Sequence, residues 1–205
     1  MPQETLENAR WLIGAIARQL NAAGQPAALR VLARLAEQNH SPAAFTLPGS
    51  MRLPVLRHFA DAVGEAMLVS PDTAAALAAV EDQLHWRQSE AYSDALLGDG
   101  FMENYGWCQL LGPHGFFPGQ DFLLGLLMLG PGQHYRNHAH PAPELYVPLT
   151  GGSSWSRNRE AFAPKPAGSL IWHEPQEVHA TRTEATPLLA IWCWTADVAE
   201  PARLV

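Results

Sequence analysis

Glycine and proline interrupt the second half of the chain about every six to ten residues, and this spacing limits what the chain can fold into. The segments between these interruptions are short, apolar and aromatic. Short segments of this kind are typical of antiparallel strands in a sandwich or barrel. The predicted strands cover residues 122–129, 145–149, 153–157, 169–172, 178–183 and 188–194.

The first half of the chain has a helical pattern instead. From Glu4 to Leu20, and again from Ala27 to Glu37, apolar residues recur every three or four positions. This spacing places them on one face of a helix. A shorter helix is predicted from Val55 to Glu65. A Ser-Pro-Asp helix start predicts another helix from Ser70 to about Trp86.

The length and apolar content suit one main core with a smaller appendage. The chain has 205 residues, of which 47% are hydrophobic and 16% charged. Such a chain can bury a substantial core but is short for two large domains. We therefore predict a mainly β fold with α-helices: a helical region at residues 1–98 packs on a β-barrel at residues 99–205.

Charge and targeting signals restrict the partners. With 13 basic and 20 acidic residues, the net charge of -7 disfavours nucleic acid and anionic membranes. The N-terminus lacks the basic start and cleavage site of a signal peptide, and no apolar run reaches the roughly 18 residues of a membrane span. Two cysteines are too few for a disulfide scaffold. We expect a cytoplasmic protein with a small-molecule substrate, and the apolar helices also allow a homodimer.

A group of possible metal ligands lies between residues 138 and 144. His138 and His140 are two positions apart, so on a strand both side chains point to the same face. Glu144 returns to that face across the bend at Pro141 and Pro143. Two imidazoles and a carboxylate suit a divalent first-row metal ion, with Zn, Fe, Mn, Co and Ni all open.

A fourth ligand is expected from the later strands. His173 and His179 are the candidates. His179 opens a predicted strand and can point inward, whereas His173 stands where a strand ends and a turn begins. We therefore predict His179 as the ligand and His173 as a bystander.

The spacing of these residues resembles the two sequence motifs of cupins. Gly132, the His-x-His pair, Glu144 and Gly151 match every fixed position of the first motif. The second is matched at Pro166, Gly168 and His179. It departs in a longer gap before the histidine and in Thr183, which stands in place of the usual asparagine. The resemblance implies a double-stranded β-helix barrel.

Tyr146 lies two residues after Glu144 and shares its strand face. Two interpretations stay open. A nearby cation favours the phenolate, which is a competent general base. Alternatively, the phenol is hydrogen-bonded in the core.

The run YRNHAHPAPELYVPL, with His179 downstream, resembles the cupin-type dimethylsulfoniopropionate (DMSP) lyases over roughly residues 100–196. The resemblance implies β-elimination of DMSP to dimethyl sulfide and acrylate. Tyr146 would be the base, and Tyr135 and Trp194 would contact the sulfonium or assist the base. The implied metal ligands are His138, His140, Glu144 and His179.

Two other classes of function remain open. One is a different cupin enzyme, such as an iron dioxygenase or an isomerase, because the same ligands suit iron. The other is a non-catalytic ligand sensor with the helices as its effector module. A sensor of DNA would need a basic recognition helix, which the sequence does not show.

Overall fold

A computed structural model describes residues 2–205, where helices precede two antiparallel sheets. The α-helices are α1 (Pro2–Ala23), α2 (Pro26–Ala36), α3 (Phe59–Ala66), α4 (Pro71–Val80) and α5 (Asp94–Leu97). The strands are β1 (Tyr105–Leu111), β2 (Leu123–Leu129), β3 (His134–Ala139), β4 (Glu144–Pro148), β5 (Ser153–Arg157), β6 (Ala163–Lys165), β7 (Ile171–His173), β8 (His179–Thr183), β9 (Leu188–Trp194) and β10 (Arg203–Leu204).

The helical pattern of the first half is confirmed, with one correction. A 3-10 turn at Pro54–His58 leads into α3, and α4 begins after Ser70 as predicted. However, α4 ends at Val80, so the prediction that it continues to Trp86 is wrong. A 3-10 turn at Glu81–Gln83 follows, and the chain then becomes extended because the backbone of Met51 bonds to both Leu84 and Trp86. This pairing satisfies backbone groups that a longer helix would have used internally.

The strands form two sheets, in the orders β1-β2-β9-β4-β7 and β10-β3-β8-β5-β6. Each of the predicted strands overlaps an observed one, whereas β1, β6 and β10 were not predicted and β3 was anticipated only in placing His138 and His140 on a strand. No helix within residues 2–205 has both the length and the apolar character needed to cross a bilayer.

The first sheet has a different environment on each face. Its outer face contributes Cys108, Leu126 and Ile191 to a core shared with the buried sides of α1–α4. Its inner face contributes Tyr146 and Trp192 to an aromatic cluster that also contains residues of the second sheet. The helices therefore support the sheet from outside, and the space between the sheets holds the candidate site. The division at residues 98 and 99 stays a prediction.

Candidate metal centre and substrate cavity

Strand ends bring the predicted ligands together. His138 lies on β3 and His140 directly follows that strand, while Glu144 and His179 are the first residues of β4 and β8. His138 is paired in register with His179, and Glu144 with Trp194. All four predicted ligands are at least 98% buried. Ionisable side chains buried to this degree need partners.

The three predicted histidine ligands have the same local arrangement. In each, the ring Nδ1 lies close to a backbone carbonyl oxygen two residues away. For His138, His140 and His179 these oxygens belong to Arg136, Ala142 and Glu177, at 2.8, 2.9 and 2.8 Å. A carbonyl only accepts a hydrogen bond, so Nδ1 carries the proton and Nε2 of a neutral ring holds the lone pair. This tautomer is the one that a metal-binding Nε2 requires.

The free ring nitrogens converge on one carboxylate. Nε2 of His140 lies 3.0 Å from Glu144 Oε2, and Nε2 of His179 lies 3.2 Å from the same oxygen. One ligand atom from each of these residues lies within 4.8 Å of the others. Lone pairs that face a carboxylate in a buried site repel it unless a positive charge lies between them. The site therefore requires either an imidazolium or a bound cation, and this donor set fits a divalent metal ion.

The carboxylate itself remains ionised. Burial alone would raise the pKa of Glu144, but the charge and hydrogen bonding of His140, together with His179, hold this pKa well below its usual range. Burial and the charge of His179 lower the pKa of His138 well below the usual histidine value, which favours its neutral, ligating form.

His138 stands beside this group rather than within it. Its ring stacks on Tyr135 at a centroid distance of 3.9 Å and lies 4.1 Å from the ring of His179. Its Nε2 is buried and has no hydrogen-bond partner within residues 2–205. The structure thus brings three of the four predicted ligands into one group and places the fourth next to it.

His173 lies closer to the site than its position in the sequence indicated. Its ring stacks on that of His179 with centroids 4.0 Å apart. Its Nδ1 lies 3.3 Å from a carboxylate oxygen of Glu177, and its buried Nε2 has no hydrogen-bond partner in the described part of the chain. Burial, followed by the charge of His179, lowers the pKa of His173 to about 2. His173 is therefore a neutral neighbour of the candidate ligands and lies outside their 4.8 Å group.

The second oxygen of Glu144 has a partner that the sequence did not reveal. Trp194 Nε1 lies 2.8 Å from Glu144 Oε1, and its indole stacks on the His140 ring at 4.3 Å. Trp194 was predicted to bind substrate, and the structure places it at the candidate centre as well. The only hint in the sequence was that Trp194 shares one strand face with Trp192.

The two predicted active-site tyrosines are buried next to different histidines, Tyr135 on His138 and Tyr146 with its ring centroid 6.4 Å from that of His179. Burial, and then the negative charge of Glu144, raises the pKa of Tyr146 well above its usual value. Tyr135 belongs to an aromatic group with Phe101 and Tyr105, and its hydroxyl lies 3.0 Å from that of Tyr92. Burial likewise raises the pKa of Tyr135. Both phenols are therefore protonated in the metal-free protein.

A cavity of about 470 Å³ reaches this centre. It meets three of the predicted ligands, His138, His140 and Glu144, together with Tyr146. Among the described residues that line it, Glu144 is the only carboxylate and there is no lysine or arginine. The aromatic lining comprises Tyr92, Tyr105, Trp107, Tyr135, Tyr146, Trp192 and Trp194. The C-terminal segment also borders the cavity, through Val198, Ala199, Pro201 and Ala202.

Comparison with known proteins identifies the family. A sequence profile of DMSP lyases matches residues 24–190. The chain belongs to the DMSP lyase family. It is 31% identical over 171 residues to the DddL protein of Cereibacter sphaeroides, covering 81% of this chain and 68% of DddL. It is 29% identical over 136 residues to the DMSP lyase DddQ of Ruegeria pomeroyi, covering 62% of this chain and 67% of DddQ.

Solved structures agree with this membership of the DMSP lyase family. A chain from a crystallographic study of the DMSP lyases RdDddP and RnDddQII superposes with a TM-score of 0.78 at 25% identity. The match covers 98% of this chain and 99% of that one. The crystal structure of DddQ from Ruegeria pomeroyi has the same fold, with a TM-score of 0.65 at 24% identity over 93% of this chain and 96% of that one. The predicted fold class, a mainly β fold preceded by helices, is confirmed, with the strands arranged in two antiparallel sheets.

Proposed function

We propose that this protein is a metal-dependent lyase that cleaves DMSP into dimethyl sulfide and acrylate. The observation that carries the proposal is the convergence of histidine Nε2 atoms on Glu144 at one end of an aromatic cavity. Membership of the DMSP lyase family supplies the reaction class. The arrangement of the site supports the individual roles.

The proposed metal ligands are His138, His140, Glu144 and His179. The shared Nδ1–carbonyl arrangement supports the three histidines, and the ionised state of Glu144 supports the carboxylate. His138 would complete the set by turning its unpartnered Nε2 toward the other three. A bound divalent cation would act as a Lewis acid that holds and polarises the substrate carboxylate and offsets the charge of Glu144.

The charges in the cavity suit a zwitterion with a carboxylate and a sulfonium. Among the described residues, no lysine or arginine lines the cavity, so the substrate carboxylate has no permanently charged basic side chain to bind there. Aromatic faces attract cations, and the faces of Tyr135 and Trp194 lie next to the candidate ligands. We propose that these two residues contact the sulfonium and hold the substrate with its α-carbon toward Tyr146.

Tyr146 is the proposed general base. As phenolate, its oxygen takes the α-proton of DMSP, and the electrons of that C–H bond form the double bond of acrylate. The bond between the β-carbon and sulfur breaks, and its electron pair leaves with dimethyl sulfide. The charge of Glu144 helps to keep Tyr146 protonated in the metal-free protein. The base would therefore become active only when that charge is offset.

Headspace measurement of dimethyl sulfide tests the proposal directly. Metal-loaded protein is expected to release dimethyl sulfide from DMSP, and chelated protein is not. Tyr146→Phe is expected to retain bound metal but lose turnover by a factor of about 10² or more. Full activity in Tyr146→Phe would reject the base, and oxygen uptake without dimethyl sulfide would favour a dioxygenase.

A matched pair of variants tests the choice of the fourth ligand. His179→Asn and His173→Asn each remove one of two stacked, buried rings. Metal content per chain, measured after dialysis, is expected to fall strongly in His179→Asn and to stay near one in His173→Asn. The opposite order would make His173 the ligand.

A further inference from the structure

The contact between Trp194 and Glu144 determines which carboxylate oxygen faces the histidines. Trp194 Nε1 lies 2.8 Å from Oε1, while the Nε2 atoms of His140 and His179 lie 3.0 and 3.2 Å from Oε2. An indole N–H only donates, so it occupies a lone pair of Oε1. The two oxygens of this buried carboxylate therefore have different partners.

We infer that Trp194 is a positioning residue that makes Glu144 a one-oxygen metal ligand through Oε2. The inference rests on the proposed metal site. Free carboxylates bind metal ions through one or both oxygens. Because the indole N–H holds Oε1, Oε2 is the oxygen that would bind the metal ion together with the histidine Nε2 atoms. Groups that hydrogen-bond to a metal ligand orient that ligand and affect how tightly the metal ion is bound.

Trp194 is itself held from several sides. It pairs in register with Glu144 across β4 and β9. The next residue, Thr195, donates its backbone N–H to the carbonyl of Pro143 at 3.1 Å, and its own carbonyl accepts from Arg34 Nε at 2.9 Å. The indole also lies on the His140 ring. The donor is therefore fixed in place before any metal binds, and it contacts one ligand while packing on another.

The positioning role is separable from the proposed contact with the sulfonium. A residue that only contacts substrate would not alter metal binding measured without substrate. A residue that orients Glu144 would alter both the affinity for the metal and the symmetry of its coordination. The test therefore uses cobalt alone, with no DMSP present.

Trp194→Phe removes the donor and keeps an aromatic ring. The matched control is Trp172→Phe, because Trp172 donates to Glu174 at 2.9 Å on an exposed part of the surface. Cobalt(II) affinity is measured by chelator competition, together with the visible spectrum of the cobalt-loaded protein. We expect affinity to fall about 10-fold in Trp194→Phe, with altered intensity of the cobalt bands, and neither change in Trp172→Phe.

The possible outcomes separate this inference from the proposed function. Wild-type affinity and spectrum in a folded Trp194→Phe variant would overturn the positioning role and leave the metal site standing. Failure of the wild type to bind cobalt would overturn both. If Trp194→Phe does not fold, Trp194 is replaced by benzothienylalanine, which has the same shape with sulfur in place of the N–H. Cobalt affinity and the visible spectrum are then measured on this variant. A loss of affinity with altered cobalt bands is again expected, and wild-type values would again overturn the positioning role.

Discussion

Gly125 occupies a crowded position next to Trp192, which lines the cavity, and replacing it with alanine tests the packing there. It lies on β2, paired with Gln109 on one side and Trp192 on the other. A Cβ at this position would lie 2.0 Å from the carbonyl oxygen of Cys108 and 2.7 Å from the Trp192 ring. The carbonyl belongs to the β1 backbone, so it cannot move away without disturbing the pairing of β1 with β2.

The expected cost follows from this crowding. Overpacking by one methyl group in a tight core costs about 1–3 kcal/mol of stability. Because the new methyl group meets an immobile backbone atom, we expect Gly125→Ala to cost about 3 kcal/mol. For a chain of this length, each kcal/mol lowers the melting temperature by roughly 2–4 °C. We therefore expect melting about 6–12 °C below the wild type. Trp192 should also shift, which would change its fluorescence because it borders the cavity.

Differential scanning calorimetry of the metal-free proteins measures the effect without a contribution from ligand binding. The control is Gly64→Ala in α3, where a new Cβ meets nothing within 4 Å. That change is expected to raise stability by up to about 1 kcal/mol, because alanine favours the helix. If Gly125→Ala melted within about 2 °C of the wild type, with unchanged Trp192 fluorescence, the packing described for β1, β2 and β9 would be incorrect.

Three further predictions concern the thiols, acid and metal. Burial raises the pKa of the Cys108 and Cys193 thiols, so a thiol reagent should label neither cysteine in the native protein and both after denaturation. Rapid labelling of the native protein would contradict their burial. The folded-state pKa of His173 is about 2, below its ordinary 6.5, so in acid the unfolded chain takes up a proton at this residue that the folded protein does not. The contribution of His173 to the unfolding free energy is therefore fully present above pH ~6.5 and is lost as the pH falls. In denaturant titrations of the metal-free protein, His173 should lower the unfolding free energy by about 2 kcal/mol at pH ~5 relative to neutral pH. The drop in unfolding free energy should be smaller by that amount in His173→Phe, and equal drops in the two proteins would reject the assignment. Divalent metal at about 100 times its Kd should add about 2.7 kcal/mol to the unfolding free energy, reversibly with chelator; no change would count against the metal site.

The candidate ligands could be predicted because their arrangement is largely local. His138, His140 and Glu144 lie within seven consecutive residues, so strand alternation and one bend suffice to bring them together. His179 was favoured over His173 from its place at the start of a strand. The same reasoning did not reveal that the two rings stack, because β7 and β8 belong to different sheets.

Long-range contacts account for what the sequence did not predict. Trp194 and Glu144 are 50 residues apart, and their hydrogen bond depends on the pairing of β4 with β9. The strand β1 is buried at every position except Trp107, so it lacks the alternation of a half-exposed strand. The early end of α4 depends on Met51, which is distant in the sequence. In each case tertiary pairing overrides a local pattern.

The last strand has a practical consequence for anyone who handles this protein. Arg203 and Leu204 pair with Ala139 and His138, so β10 lies beside a proposed ligand. Any sequence appended after Val205, such as an affinity tag, would emerge close to the C-terminal segment that borders the cavity. A polyhistidine tag there would bring foreign imidazoles near the centre and compete for the metal being assayed. A tag placed ahead of α1 would start from the helical layer, on the opposite face of the first sheet.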